Sequence, residues 1–211
     1  MKEYKLPIGC DVPETIILAD GDFPSHPLAL EWLRQCPYVV CCDGAANTYI
    51  RSGRMPEAIV GDGDSLLPDI KERYASLIHS EAEQETNDLS KAFRFCLSQE
   101  RKRITIMGAT GKREDHTIGN VSLLADYMEQ AEVSMMTDYG IFVPIREDSM
   151  FESYIGQQIS DINMNSTALS AEGLAYPLSV FTNWWQGTLN EALARHFIIR
   201  TEGKVLVFRV F

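Results

Sequence analysis

Four short apolar runs in the first half of the chain each stop at a glycine, an aspartate or both. TIIL (15–18) gives way to Asp20, Gly21 and Asp22, and YVVCC (38–42) to Asp43 and Gly44. Ala58, Ile59 and Val60 end at Gly61 and Asp62, and ITIM (104–107) ends at Gly108 and Ala109. Continuous apolar runs of this kind are what strands buried on both faces should show. Helix-like segments lie between them. Leu28, Leu30, Trp32 and Leu33 are helix-compatible, and Leu89, Ala92, Phe93, Cys96 and Leu97 follow an i, i+3, i+4, i+7, i+8 pattern. Ile118, Val121, Leu124, Ala125 and Met128 share one face of a further helix, with VSMM (133–136) after it. Strands alternating with helices predict an α/β fold: a parallel, Rossmann-like sheet with helices on both faces.

After about residue 140 the pattern changes to glycines, turn residues and short β-rich runs. FESYIG (151–156), LSVFT (178–182) and KVLVFRVF (204–211) read as strands. The last has Leu206, Phe208 and Val210 on one face and Val205, Val207 and Arg209 on the other. The expected layout is an α/β domain over 1–140 and a small all-β sandwich over 141–211.

A chain of 211 residues with 45% hydrophobic and 23% charged residues fits one large or two modest globular domains. No apolar run approaches the roughly 20 residues that span a bilayer, and MKEYKLP at the N-terminus lacks a signal-peptide core. The five cysteines (Cys10, Cys36, Cys41, Cys42, Cys96) form no CxxC pair. Reduced thiols in a cytoplasmic protein are therefore expected. The net charge of −11 argues against nucleic acid as a partner.

In an open α/β sheet, ligands bind outside the carboxyl ends of the strands. Asp20, Asp43, Asp62 and Gly108 share that address, so carboxylates distant in sequence should converge there. Clustered carboxylates repel and make sense chiefly around a cation. All-oxygen ligands suit Mg²⁺, which bridges carboxylates to substrate phosphates. In GDGDS (61–65), an extended backbone would point Asp62 and Asp64 to the same side, although Gly and Asp also make ordinary surface turns.

Two further stretches carry chemistry. In EQETNDLSK (83–91), Thr86 or Asn87 is placed to cap a helix, with Asp88 in its first turn. Asp88 and Lys91 are placed to hold a metal and a phosphate oxygen; a solvated helix lysine is the ordinary alternative. In MGATGKREDHTIGN (107–120), a glycine loop leads into a helix, a common place for phosphate. Lys112 and Arg113 offer charge to polyphosphate, while Asp115 and His116 stand at the helix start. Asn47 and His116 are expected near the nucleotide. No Ser-His-Asp or Cys-His arrangement appears.

Taken in order, DGAAN (43–47), GDGDS (61–65), NDLSK (87–91), GATGKREDHTIGN (108–120), GLAYPL (173–178) and LNE (189–191) resemble the blocks of one family, the thiamine pyrophosphokinases (thiamin diphosphokinases). The chain departs from the family pattern at Asn87, usually threonine, at Leu189, usually serine, and at Ala45, often glycine. The resemblance implies transfer of pyrophosphate from ATP to thiamine, giving thiamine diphosphate and AMP. It implies Asp62, Asp64 and Asp88 as catalytic residues, with Asp43, Asp62, Asp64 and Asp88 as Mg²⁺ ligands. Asn47, Lys91, Lys112, Arg113, Asp115 and His116 then belong to the nucleotide site together with Asp43. It also implies a homodimer, with thiamine at the dimer interface bordered by Tyr176 and Asn190. Alternatives from other classes are a Mg²⁺-dependent phosphotransferase acting on another alcohol and a non-catalytic nucleotide or thiamine sensor. Adjacent Trp184 and Trp185 cannot both face inward on a regular strand, so one is expected to be exposed, while Phe181 is expected to fill the core.

Overall fold

The computed structural model describes residues 1–7, 11–81, 83 and 85–211. Cys10, and Gln84 in the EQETNDLSK stretch, lie outside the described residues. The chain divides into two compact units: Gly9–Leu123 with Gln130–Asp138, and Met1–Ile8 with Leu124–Glu129 and Tyr139–Phe211. Among the described residues, no helix is long and apolar enough to cross a membrane. Cys36, Cys41, Cys42 and Cys96 are free thiols.

In the first unit, β2 (Thr15–Leu18), β3 (Val39–Cys42), β4 (Ala58–Gly61), β5 (Ile78–Ser80), β6 (Arg103–Met107) and β7 (Glu132–Met136) follow the order β7-β6-β2-β3-β4-β5. Every pairing among them is parallel. β2, β3 and β4 are buried at every position, as continuous apolar runs require. From β2 the chain builds outward through β3, β4 and β5, then returns to lay β6 on the other side of β2. The strand order therefore reverses between β2 and β6.

Five helices accompany these strands: α1 (Pro27–Gln35), α2 (Ala45–Arg51), α3 (Pro68–Arg73), α4 (Asp88–Ser98) and α5 (Glu114–Tyr127). α1 has proline in its first turn and buries Ala29, Trp32 and Leu33. α4 buries Leu89, Ala92, Phe93 and Cys96 and packs on β3 and β4. α2, α3 and β5 were not anticipated; each is too short to show a period. The α5 stripe also differs from expectation, because Ile118 is 57% exposed. From Glu114 to Gly119 only Thr117 is even half-buried, and the helix becomes covered from Asn120 onward.

The second unit is β-rich. β8 (Gly140–Ile145), β10 (Gln158–Asn163), β12 (Asn190–Glu191) and β14 (Val205–Val210) pair antiparallel in the order β12-β10-β14-β8. A four-stranded sheet runs β1-β9-β13-β11, from β1 (Lys2–Tyr4), β9 (Ser149–Glu152), β11 (Leu169–Glu172) and β13 (His196–Thr201). Residues 1–7, expected in the α/β domain, belong here because β1 pairs in parallel with β9. Both sets of strands contribute to one core, including Ile141, Val143, Phe151, Ile159, Phe197 and Val207.

Residues 178–182, expected as a strand, are irregular. Pro177 precedes them, and the Phe181 N–H donates to the Ser179 carbonyl at 2.7 Å, closing a tight turn. Phe181 still packs against the core, as expected. In FESYIG the strand ends at Glu152. Trp184 and Trp185 lie on a 3-10 turn, Trp184–Gly187, rather than a strand, and both are exposed.

β14 does not alternate in burial as its pattern suggested: Leu206 is buried like Val205 and Val207, Phe208 and Val210 are half-buried, and Arg209 is buried. Its Nη1 and Nη2 donate to the carbonyls of Glu152 and Lys5, each at 3.0 Å, and its guanidinium lies over the Phe151 ring. The loss of solvent lowers its pKa to about 10.

Asp161 on β10 is fully buried, and neither carboxylate oxygen has a partner. Burial pushes its pKa up to about 8. An exposed aspartate titrates near 4, so folding takes up a proton between these values. The stability linked to Asp161 is complete at low pH and is lost as pH rises through about 8. Asp161→Asn should therefore flatten the pH dependence of the denaturant midpoint between about pH 4 and 8. A profile parallel to that of the parent chain would contradict this.

Candidate nucleotide and cation site

The ends of β2 and β6 meet through backbone hydrogen bonds. The Ala19 N–H donates to Met107 O at 2.8 Å, Gly21 N–H to Gly108 O at 2.6 Å, and Asp22 N–H to Thr110 O at 2.8 Å. A β-carbon on Gly21 would fall 2.4 Å from the carbonyl oxygens of both Gly108 and Thr110, so no larger residue fits. Beside this junction opens a cleft of about 470 Å³. Its walls come from the segments after β2, β3, β4 and β6 and from the first turns of α4 and α5. This is the crevice at the strand-order reversal where α/β sheets bind ligands.

Asp43 sits in the cleft wall, 4% exposed, with φ of 34°. Its Oδ2 accepts the Ser65 N–H at 3.0 Å, whereas Oδ1 is buried without a partner. Burial raises its pKa; the Ser65 hydrogen bond opposes this, and the charges of Asp88 and Asp62 reinforce it. A β-carbon on Gly61 would lie 2.8 Å from Asp43 Cβ and 3.4 Å from Asp88 Cγ. Asp43 and Asp88 therefore converge around Gly61. Asp62 also lines the cleft.

Asp64 does not stand beside Asp62 as an extended backbone would place it. Gly63 adopts φ of 78°, and the Asp64 N–H donates to Asp62 Oδ1 at 3.1 Å, so the segment turns. Asp64 is exposed and lies outside the cleft lining.

Lys91 is not a solvated helix lysine: it is 3% exposed and faces the cleft. Burial alone would lower its pKa. The hydrogen bond and charge of Asp88, with Nζ 3.1 Å from Oδ1, and the charge of Asp62 outweigh that and raise it. The ammonium is held charged inside the acidic cluster. Asn87 is the α4 cap, its side chain accepting the Ser90 N–H at 2.9 Å.

The cations of the loop after β6 are exposed and internally paired. Lys112 Nζ lies 3.1 Å from Asp20 Oδ1, and Arg113 makes two hydrogen bonds to Asp115 at 3.0 and 2.6 Å. The Arg113 hydrogen bond lowers the Asp115 pKa to about 2. Water screens exposed pairs of this kind, so both cations are free to exchange partners for phosphate oxygens. Lys112, Arg113 and His116 line the cleft, whereas Asp115 does not.

Two residues differ from the sequence expectation in role. Asn47 lies outside the cleft lining. Its Nδ2 donates to Ser65 O at 2.8 Å and its Oδ1 accepts the Leu67 N–H at 3.0 Å. It fastens the Asp62–Ser65 loop to α2. Asn190, 4% exposed, uses both ends of its amide on the Tyr176 backbone, accepting from N at 3.0 Å and donating to O at 2.9 Å. It fixes the segment on which Tyr176 stands 65% exposed.

Cys42, Thr110, Thr117 and Asn120 line the cleft although the sequence assigned them no role, and Asp20, expected only as a strand-end carboxylate, and Asn87, expected only as a cap, line it too. Asp20 and Cys42 were visible as residues at strand ends; Thr117 and Asn120 depend on how α5 is rotated. Among the described residues, no three Asp, Glu, His or Cys side chains are gathered closely enough to hold a metal ion alone.

Family models match most of the chain. Residues 29–136 match the thiamin pyrophosphokinase catalytic domain and residues 140–208 its substrate-binding domain. The chain belongs to the thiamin pyrophosphokinase family. A thiamin pyrophosphokinase 1 of Caenorhabditis elegans is 27% identical over 190 residues, covering 82% of this chain and 74% of that protein. A thiamine pyrophosphokinase 1 of rice is 30% identical over 129 residues, and the chain spans about half of that relative's length, 49%. The thiamin pyrophosphokinase structure from Candida albicans has the same fold, with a TM-score of 0.81 at 18% identity over 100% of this chain and 93% of that one.

Within this family fold, the Asn47 amide is a fastener for the carboxylate loop. Asn47→Ala removes two hydrogen bonds and should lower the stability measured by denaturant unfolding by about 1–3 kcal/mol. An unchanged midpoint would contradict the role.

Proposed function

We propose that the chain transfers pyrophosphate from ATP to the hydroxyl of thiamine, giving thiamine diphosphate and AMP. The observation that carries this reading is the unpartnered, buried Asp43 Oδ1 beside Asp62 and Asp88, with the buried charged Lys91 in the same cleft. A buried anionic oxygen without a donor is costly, and a cation meets that need. Mg²⁺ keeps waters and takes phosphate oxygens, so it needs only one or two protein carboxylates. The donor set fits it. Asp43, Asp62 and Asp88 would supply those one or two carboxylates, whereas Asp64, exposed and outside the cleft lining, would not. When bound, Mg²⁺ neutralises charge on the transferring phosphates.

The chain's own groups do the rest. Lys91, fixed by Asp88, offers a hydrogen-bond donor from inside the cleft. Lys112 and Arg113 leave Asp20 and Asp115 to meet the outer phosphates, and His116 borders the nucleotide. The thiamine hydroxyl oxygen bonds to the β-phosphorus as the bond from that phosphorus to the α-phosphate bridging oxygen breaks. AMP leaves, and the hydroxyl proton is released. Positioning and charge account for the catalysis, as phosphoryl transfer requires.

On this reading the first unit is a Rossmann-like catalytic domain and the second a β-sandwich that binds thiamine. The thiazolium cation suits an aromatic face, which the exposed Tyr176, Trp184 and Trp185 supply. With Leu189, 77% exposed, they leave apolar surface uncovered, which supports a homodimer as the working unit. The setting proposed is cytoplasmic.

The test is AMP release from Mg·ATP in the presence of thiamine, compared with other small alcohols. Thiamine-dependent release that EDTA abolishes is expected, and Asp62→Asn should reduce turnover by about two orders of magnitude or more. Release independent of thiamine, or near-parent turnover in Asp62→Asn, would refute the reading.

A further inference from the structure

Two walls of the cleft are joined by a chain of side-chain amides. One wall is the N-terminus of α4, which carries Asp88 and Lys91; the other is the loop after β6, which carries Lys112 and Arg113. Asn87 spans the gap. Its Oδ1 accepts the Ser90 N–H at 2.9 Å, capping α4, and its Nδ2 donates to Asn120 Oδ1 on α5 at 3.1 Å. Asn120 Nδ2 in turn donates to the Ala109 carbonyl at 2.8 Å. Each amide thus uses one oxygen and one nitrogen, and the two run in series from a helix cap to the loop backbone. Asn87, Asn120 and Ala109 all face the cleft.

We propose that Asn87 and Asn120 are positioning residues, holding the Asp88–Lys91 wall and the Lys112–Arg113 loop at the spacing that a bound polyphosphate requires. The proposal rests on the reading of this cleft as the ATP site. The cap alone is a local matter within α4, and serine provides it about equally well. The second amide function is different: it has no local use, and it couples segments 33 residues apart in sequence. Groups on opposite walls that act on one ligand gain most from such pre-organisation, because less ordering remains to be done when the ligand arrives.

Asn87→Ser separates the two roles, since it keeps a cap and removes the donor to Asn120. The decisive experiment compares the parent chain, Asn87→Ser, Asn120→Ala and the double variant. Mg·ATP affinity is measured by calorimetry on the full chain, and KM for ATP and for thiamine are determined separately. Asn87→Ser should unfold at nearly the parent's denaturant midpoint yet bind Mg·ATP about fivefold more weakly, as loss of one bridging hydrogen bond predicts. KM for ATP should rise with it while KM for thiamine stays put. The double variant should bind no more weakly than Asn120→Ala, because both changes break the same bridge. Parent-like Mg·ATP affinity in Asn87→Ser, or losses that multiply in the double variant, would overturn the proposal. A parent chain that binds Mg·ATP but releases no AMP refutes the enzymatic reading alone and leaves the affinity comparison to decide the bridge. A parent chain that does not bind Mg·ATP refutes both.

Discussion

The close approach of two parallel strand ends, β2 and β6, sets the position of everything else in the site. Three backbone hydrogen bonds tie residues 19–22 to residues 107–110, and the contact is too tight for a β-carbon at Gly21. Gly108, with φ of 64°, lets the chain turn away at once. The strand order reverses here, and the crevice opens beside the joined segments. The acidic ends of β3 and β4 and the starts of α4 and α5 then have one place to converge.

Charge in that crevice is arranged in two tiers. The inner tier is buried: Asp43 with an unpartnered oxygen, and Lys91 tied to Asp88. Asp43 and Lys91 have little water around them, whereas the Asp88 side chain that ties Lys91 is 36% exposed. The outer tier is exposed: Lys112 with Asp20, and Arg113 with Asp115. Water screens these pairs, and they exchange readily. On the proposed reading, a polyphosphate entering the cleft would meet the exposed cations first and the acidic interior second. That order suits a substrate that arrives with its own divalent cation.

Much of this was legible in the sequence, for identifiable reasons. Strands buried on both faces leave uninterrupted apolar runs, so β2, β3, β4 and β6 and the residues at their ends were readable from composition alone. α4 showed its period and its cap. What was missed depends on three-dimensional facts that no period encodes. β1 joins β9 across most of the chain's length, a pairing invisible in a three-residue segment. The 178–182 stretch looks like a strand until Pro177 and the turn at Phe181 are taken into account. Within the site, Lys91 was expected to face the ligand, but its burial follows from the packing of α4 on the sheet, which its sequence position does not show. Asn47 and Asn190 read as ligand contacts, although their amides are consumed by backbone groups of the loops they hold. Asp62 and Asp64 would share a side only on an extended backbone, and Gly63 bends it.

On the proposed reading, the crevice at the β2–β6 junction receives the polyphosphate, with the cation on its carboxylate side. A crystal structure of the chain with magnesium and a non-hydrolysable ATP analogue tests this most directly. The account predicts a magnesium ion coordinated by Asp43, Asp62 or Asp88, with phosphate oxygens within hydrogen-bonding distance of Lys91 and of Lys112 or Arg113. Nucleotide bound elsewhere on the chain, with these side chains still paired among themselves, would contradict it.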